Sequence, residues 1–271
     1  LQVGQMIHIS KKLPRKKIGL VSVAALVVAT ILWVTVITPL LFRLPANMSY
    51  QADIFSKDDF YDATRTGYTG IVQSNTKFYY ETKSHDGDNL VVNNVFDVKK
   101  PTGEQIVRLE RQYGVDRHSG KHVDGLGDKN RSGYLFAPRG LKPGQGYEYW
   151  HINYDLPAKM EFEGEEVIQG LTVYRYHTTL FADQTDSLGF LDGVPEKYGI
   201  NLDVDLKTWV EPTTGRLIKY EDKTTAYYYD QSSGQRTVPW NRFSNIYTES
   251  SVIKQIEQAK TAILNAKIIK T

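Results

Sequence analysis

Apolar and polar positions follow three different periods along this chain. From Ile18 to Phe42, "IGLVSVAALVVATILWVTVITPLLF", 25 residues pass without a charge. At about 1.5 Å per residue, such a run crosses a hydrocarbon core of about 30 Å with room to tilt. It is too long for a signal-peptide core and ends in "TPLLFRLP" with no small-x-small cleavage site, so a retained transmembrane helix is expected. Between Leu44 and Tyr247 the period is two. Leu202, Val204, Leu206, Thr208 and Val210 alternate with Asp203, Asp205, Lys207 and Trp209, the pattern of a half-buried strand. "TKFYYETK", "NLVVNNVFDVKK", "EQIVRLERQYGVD", "KMEFEGEEVIQG" and "LTVYRYHTTLF" read likewise. After Thr248 the spacing becomes three and four. Val252, Ile256, Ala259, Ile263 and Ala266 line one helix face, with Thr248 as N-cap and Glu249 in the first turn.

These periods divide the chain into a basic tail (1–17), a transmembrane helix (18–42), a β-rich body (44–247) and a C-terminal helix (248–271). The expected fold is a β-rich α+β one: a large curved antiparallel sheet or partly open barrel, tethered by one helix and closed by another. The chain starts at Leu1, and the last helix reaches Thr271 with no Gly or Pro stop. A piece of a longer protein is therefore expected.

Four Gly-bearing tracts raise the question of a phosphate or metal loop: "KPTGE", "DRHSGK", "EPTTGR" and "DQSSGQ". Each lies between two strand patterns, whereas a phosphate loop needs a helix N-terminus behind it. They read as hairpin turns, the acidic or polar residue opening the turn and Gly taking the positive-φ position. The longest irregular tract is Ala182 to Asn201, a length that marks a candidate recognition loop.

Charge sets the orientation. Lys11, Lys12, Arg15, Lys16 and Lys17 precede the apolar run, and cationic flanks stay in the cytoplasm. The amino terminus is then inside and the body outside the plasma membrane, where Asn47 and Asn130 head two sequons. Without those five cations the chain has 28 basic against 31 acidic side chains, so no nucleic-acid partner is expected. The absence of cysteine excludes disulfides, thiolate metal sites and a cysteine nucleophile.

The candidates for chemistry are weak. "DKNRSG", Asp128 to Gly133, opens like a calcium loop but has Arg139 where a bidentate Glu belongs. His118 and His122 are expected to face each other across a turn, with no third ligand. Glu161, Glu163, Glu165 and Glu166 read as a solvated strand face with Phe162 behind it. No nucleophile elbow, zinc helix, Walker loop or dinucleotide fingerprint occurs. No enzyme, cofactor or metal is expected. "YEYWHINYDLP", Tyr147 to Pro157, crowds aromatics on both faces and reads as a doubly buried strand or an aromatic-lined pocket. The candidate ligand-binding residues are Tyr149, Trp150, Asn153, Tyr154, Phe190 and Trp209.

"NVFDVKKPTGE", "RQYGVDRHSGKHV", "GYLFAPRGLKPG", "YWHINYDLPAKMEFEGEE" and "TWVEPTTGRLIKYEDKTTAYYYD" resemble the porin PorA-like family. The resemblance runs from the apolar run to the last helix. It implies an amino-terminal transmembrane helix, an extracytoplasmic β-rich domain and a second transmembrane helix, which in some relatives leads into a sensor histidine kinase. It implies no catalytic residue. The function expected is a membrane-anchored extracytoplasmic sensing or ligand-binding domain whose partner is an unknown ligand or envelope protein. The alternatives are a structural or assembly component of the cell envelope and a carrier of a lipid or other hydrophobic molecule.

Overall fold

The computed structural model describes residues 15–33, 35, 43–151, 153–185 and 196–270, with side chains described outside 15–22 and 265–270. The chain divides into a segment up to Arg43 and a body, Leu44–Ile269. In the first segment α1 (Arg15–Leu32) carries Val23, Leu26, Val27, Val28, Ile31 and Leu32, all at least half exposed. At 100° per residue these side chains point to every side of the helix. Among the described residues no helix is long and apolar enough to cross a membrane. α1 begins with three basic residues, and residues 34 and 36–42 of the expected span lie outside the described residues.

The body contains β1 (Ser49–Asp62), β2 (Gly67–Asp86), β3 (Asn89–Lys99), β4 (Gln105–Asp116), β5 (His122–Gly127), β6 (Tyr147–His151), β7 (Leu156–Ile168), β8 (Leu171–Asp183), β9 (Tyr198–Glu211), β10 (Arg216–Asp230), β11 (Arg236–Tyr247) and α2 (Glu249–Lys270). They form one antiparallel sheet ordered β5-β4-β3-β2-β1-β11-β10-β9-β8-β7-β6. Only the β1–β11 pairing joins strands far apart in sequence; every other neighbouring pair is consecutive in the chain. The hairpins have the expected chemistry. The Glu211 carboxylate accepts from the amides of Thr213 and Thr214, and Gly215 takes φ +70°. Asp116 accepts from Ser119 in the same way, and Asp230 from Ser232 and Ser233.

The sheet curls strongly. In a flat sheet β6 and β10 would lie about 19 Å apart, yet the Tyr220 hydroxyl is 3.0 Å from His151 Nε2. The Tyr50 hydroxyl on β1 likewise donates to the Leu217 carbonyl on β10, two strands away. One aromatic core fills the inner face, drawing Tyr50, Phe78, Tyr80, Tyr113, Tyr149 and Tyr176 from five different strands. Their rings meet edge-on or tilted, as in Phe78–Tyr80 at 4.9 Å and Tyr147–Tyr176 at 4.8 Å.

The sheet is not closed by a strand-to-strand ladder. Its two edges are joined instead through Tyr134, which bridges to Lys121 on one side and Tyr149 on the other. The Tyr134 amide donates to the Glu148 carbonyl at 2.9 Å, and the Leu135 amide to Gly120 at 3.0 Å. Gly133, at φ +70°, makes this approach possible, because a Cβ there would lie 2.6 Å from the Glu148 carbonyl oxygen. From this seam the chain runs on to the β9–β10 hairpin, where the amides of Gly140 and Leu141 donate to Thr213 and Pro212. Phe136 packs on Tyr50 and Tyr80, at 4.6 and 5.2 Å. Residues 128–146 therefore cover the exposed edges of the sheet, a role expected of the C-terminal helix.

That helix does something else. α2 starts at the expected cap, with the Ser251 amide donating to Thr248 Oγ1. Ile256 and Ala259 pack on the outer face of the sheet against Leu171, Val173, Trp209 and Ile218. The Gln255 amide group donates to the Gln51 carbonyl on β1. The expected seam at Val252, Ile256, Ala259 and Ile263 is the buried one; the Ala266 side chain lies outside the described residues.

Candidate functional site

Strand β6 stops at His151, and Asp155 takes φ +53° in the turn between β6 and β7. This turn breaks the expected alternation. Tyr147, Tyr149, Trp150, His151 and Tyr154 all become buried, although β6 is an edge strand and not the central one its aromatics suggested. The cover on one side is Arg131, whose guanidinium lies 4.1 Å from the Tyr113 ring and 5.8 Å from Trp150. Arg131 Nε donates to Asp155 Oδ1 at 3.0 Å and its Nη1 to the Gln112 carbonyl at 3.0 Å. Asp155 also accepts from Trp150 Nε1 at 2.7 Å and pairs with Lys129 and Arg111. These hydrogen bonds hold its carboxyl below the usual carboxylate range against the opposing effect of burial.

Inside the curl lies a second polar group of residues. Asn153 Nδ2 reaches Tyr220 and Asp222 at 3.3 Å each. Asn245 Nδ2 donates to both Asp222 oxygens at 2.9 and 3.2 Å, and the Tyr220 hydroxyl donates to Asp222 as well. His151 stacks on Tyr154 at 4.4 Å, and the Tyr154 hydroxyl meets Thr224 Oγ1 at 2.7 Å. The donors facing Asp222 are neutral, so burial dominates and pushes its carboxyl up to about 7. Burial pushes His151 the other way, down to about 3, and keeps the imidazole neutral. Both residues have no exposed surface. The arrangement can hold a proton, but a substrate cannot reach it.

The six candidate binding residues thus separate. Tyr149, Trp150, Asn153 and Tyr154 come together at the end of β6, as parts of a packed and hydrogen-bonded interior. Trp209 does not join them. It lies on the outer face beneath α2, with Nε1 donating to Glu166 and Lys219 3.9 Å over its ring. Phe190 and residues 186–195 of the expected recognition loop lie outside the described residues, while 182–183 and 198–201 belong to β8 and β9. A second long connection, 128–146, was not singled out from the sequence, which marked Ala182 to Asn201 as the longest irregular tract. His118 pairs with Asp88 at 3.2 Å, whereas His122 turns toward Tyr113 and Trp150, so the two do not face each other. Asp128 of the calcium-like tract pairs with Arg131, and Asn130 accepts from the Gly125 amide. Arg175 bridges Glu163 and Glu166 on the acidic strand face, with Phe162 packed inward on Tyr174 and Tyr176.

An open groove of about 870 Å³ crosses the outer face of six strands. Strand register arranges its outward side chains in two transverse rows. Lys57, Ser244, Lys223, Asp205 and Thr179 are successive cross-strand partners. So are Ile71, Asp59, Arg242, Thr225, Asp203 and Phe181. The acids are already engaged. Asp59 Oδ2 accepts from Arg242 at 2.6 and 2.9 Å, Asp203 from Arg236 twice at 2.6 Å, and Asp205 from His177 at 3.1 Å.

No curated protein matches the chain. The family model described as Porin PorA matches residues 18–271, almost the whole length, and the chain belongs to that family.

Proposed function

We propose that this chain is an envelope protein anchored by its first helix, with a non-catalytic β-rich body outside the membrane that binds or senses a ligand. The observation carrying this reading is α1, whose described apolar side chains are exposed all round. A helix of that kind is stable inside lipid or a protein core, not in water. The five cations before and within its first turn favour an inside amino terminus. The family's name supports an envelope location, but a pore through this sheet has little support. Tyrosines and phenylalanines fill the inner face, and the outer face carries Asp203, Asp205, Lys207, Lys219, Glu221 and Lys223 where a lipid-facing strand would need an apolar band. A carrier of hydrophobic cargo would need space at Trp150 and Tyr154, which are buried and hydrogen-bonded. The outer groove is the feature that favours ligand binding.

The absence of cysteine makes the test direct. Thr102→Cys in the exposed β3–β4 turn and Ser10→Cys in the basic tail are each labelled in intact cells with a membrane-impermeant maleimide. Labelling at 102 and protection at 10 support the reading. Protection at 102 with labelling at 10 overturns the orientation, and recovery of the chain in the soluble fraction overturns the anchor.

A further inference from the structure

We propose that the outer groove recognises a phosphate group carried on an amphiphile, with Lys57, Lys223 and Ser244 as the phosphate contacts. This rests on the reading of the body as ligand-binding and names the site and ligand class. Lys57 and Lys223 stand two strands apart in the first row, with Ser244 between them. Their backbones are therefore about 10 Å apart, and two flexible four-carbon stems can converge on one anion above the serine. Neither ammonium is held firmly. Lys57 Nζ lies over the Phe55 ring at 5.7 Å, and Lys223, with its side chain 66% exposed, meets Glu221 at 3.6 Å and stands across from Asp205. The acids of the groove are engaged elsewhere: Asp59 and Asp203 pair with Arg242 and Arg236, Asp205 is hydrogen-bonded to His177, and Asp58 is hydrogen-bonded to Asn241 and Ser74.

The volume and the ends of the groove point beyond a bare ion. A free phosphate fills only a small part of 870 Å³. The second row spans five inter-strand steps, about 24 Å, and ends in Ile71 and Phe181, which are 65% and 61% exposed. Exposed apolar side chains at the ends of a groove whose first row presents two lysines match a molecule with a charged head and an apolar portion.

The test uses the full chain in micelles of a nonionic, phosphate-free detergent, titrated calorimetrically with hexyl phosphate, inorganic phosphate and hexyltrimethylammonium against empty micelles. Saturable binding of hexyl phosphate is expected, weakened at least tenfold in Lys57→Ala/Lys223→Ala and unchanged in Lys100→Ala, a surface lysine outside the groove. Inorganic phosphate is expected to bind more weakly at the same lysines. Equal affinity for the two phosphates overturns the amphiphile part. No saturable hexyl phosphate binding, undiminished binding by the double variant, or equal binding of the ammonium overturns the site. Maleimide labelling is independent of this titration, so a body on the wrong side of the membrane and an unused groove give different results.

Discussion

The two faces of the curled sheet use similar residue types for opposite ends. On the inner face the polar groups are sealed in: His151, Tyr220, Asp222 and Asn245 satisfy one another among tyrosine rings. On the outer face Asp203 and Asp205 are paired and half exposed, Asp59 is paired beneath Arg242, and Lys57 and Lys223 remain adaptable. The difference follows from dielectric. A polar group in the interior must be satisfied or neutralised, so it contributes structure and little recognition. At the surface a charge costs little to leave loosely paired and remains available for a ligand. Four residues that looked like a binding site, Tyr149, Trp150, Asn153 and Tyr154, belong to the sealed face. The groove lies on the other.

Substitutions that respect or violate this division separate the two faces by size of effect. Phe78→Ala, in the inner aromatic core, is expected to lower stability by about 3–5 kcal/mol, measured by thermal or denaturant unfolding followed by tyrosine and tryptophan fluorescence. A loss below about 1 kcal/mol would mean that the inner face is loosely packed.

Asp222→Asn probes the sealed proton. The folded chain keeps that proton up to about pH 7, whereas an unfolded aspartate releases it near 4. Folding therefore takes up a proton between those values. The associated stability is complete below about pH 4 and is lost as pH rises through about 7, up to about 4 kcal/mol in all. The asparagine variant is expected to lose this pH dependence and to exceed the wild type at pH 8, read as unfolding midpoints at pH 5, 6.5 and 8. Parallel pH profiles for the two proteins would contradict the burial of an uncompensated carboxyl. His151 works in the opposite sense: its depressed pKa contributes stability that is lost as pH falls from about 6.5 toward 3.

Arg131→Ala acts at the seam, where the sealed face meets the surface. It leaves Asp155 with Lys129, Arg111 and the Trp150 indole N–H, and about 3 kcal/mol is the expected cost. Hydrogen exchange should rise in β5 and β6, whose edges the 133–135 segment joins, and stay unchanged in β9 and β10. A uniform rise would show that the seam is not a local closure. At the outer face Lys57→Ala/Lys223→Ala is expected to change stability by less than about 0.5 kcal/mol. A larger loss in the same unfolding assay would make the two lysines part of the fold and not of a free surface.

The pattern within each strand, hairpin and cap was legible because its determinants are close in sequence. Glu211 and Gly215 are four residues apart and fix one turn; Thr248 and Ser251 fix one helix start. The alternation at Leu202–Val210 assigned inner and outer side chains correctly, Trp209 included, since it stands out of phase with the buried set. Grouping Trp209 with Trp150 failed because composition carries no information about which face two aromatics share. The role of the 128–146 connection was not legible for a related reason: Tyr134, Leu135 and Phe136 are apolar because they pack on a core assembled from distant strands.

By itself the sequence determined the strand period, the turn chemistry, the apolar first helix and the family, all set by local stereochemistry and side-chain polarity. Only the tertiary structure decided that β1 would pair with β11 and that β6 would curl to within hydrogen-bond reach of β10. The same long-range pairings put Lys57 and Lys223, 166 positions apart, on either side of Ser244. Those outcomes depend on register between distant strands, and register is fixed by the burial of one whole face at once, not by any residue's neighbours in the chain.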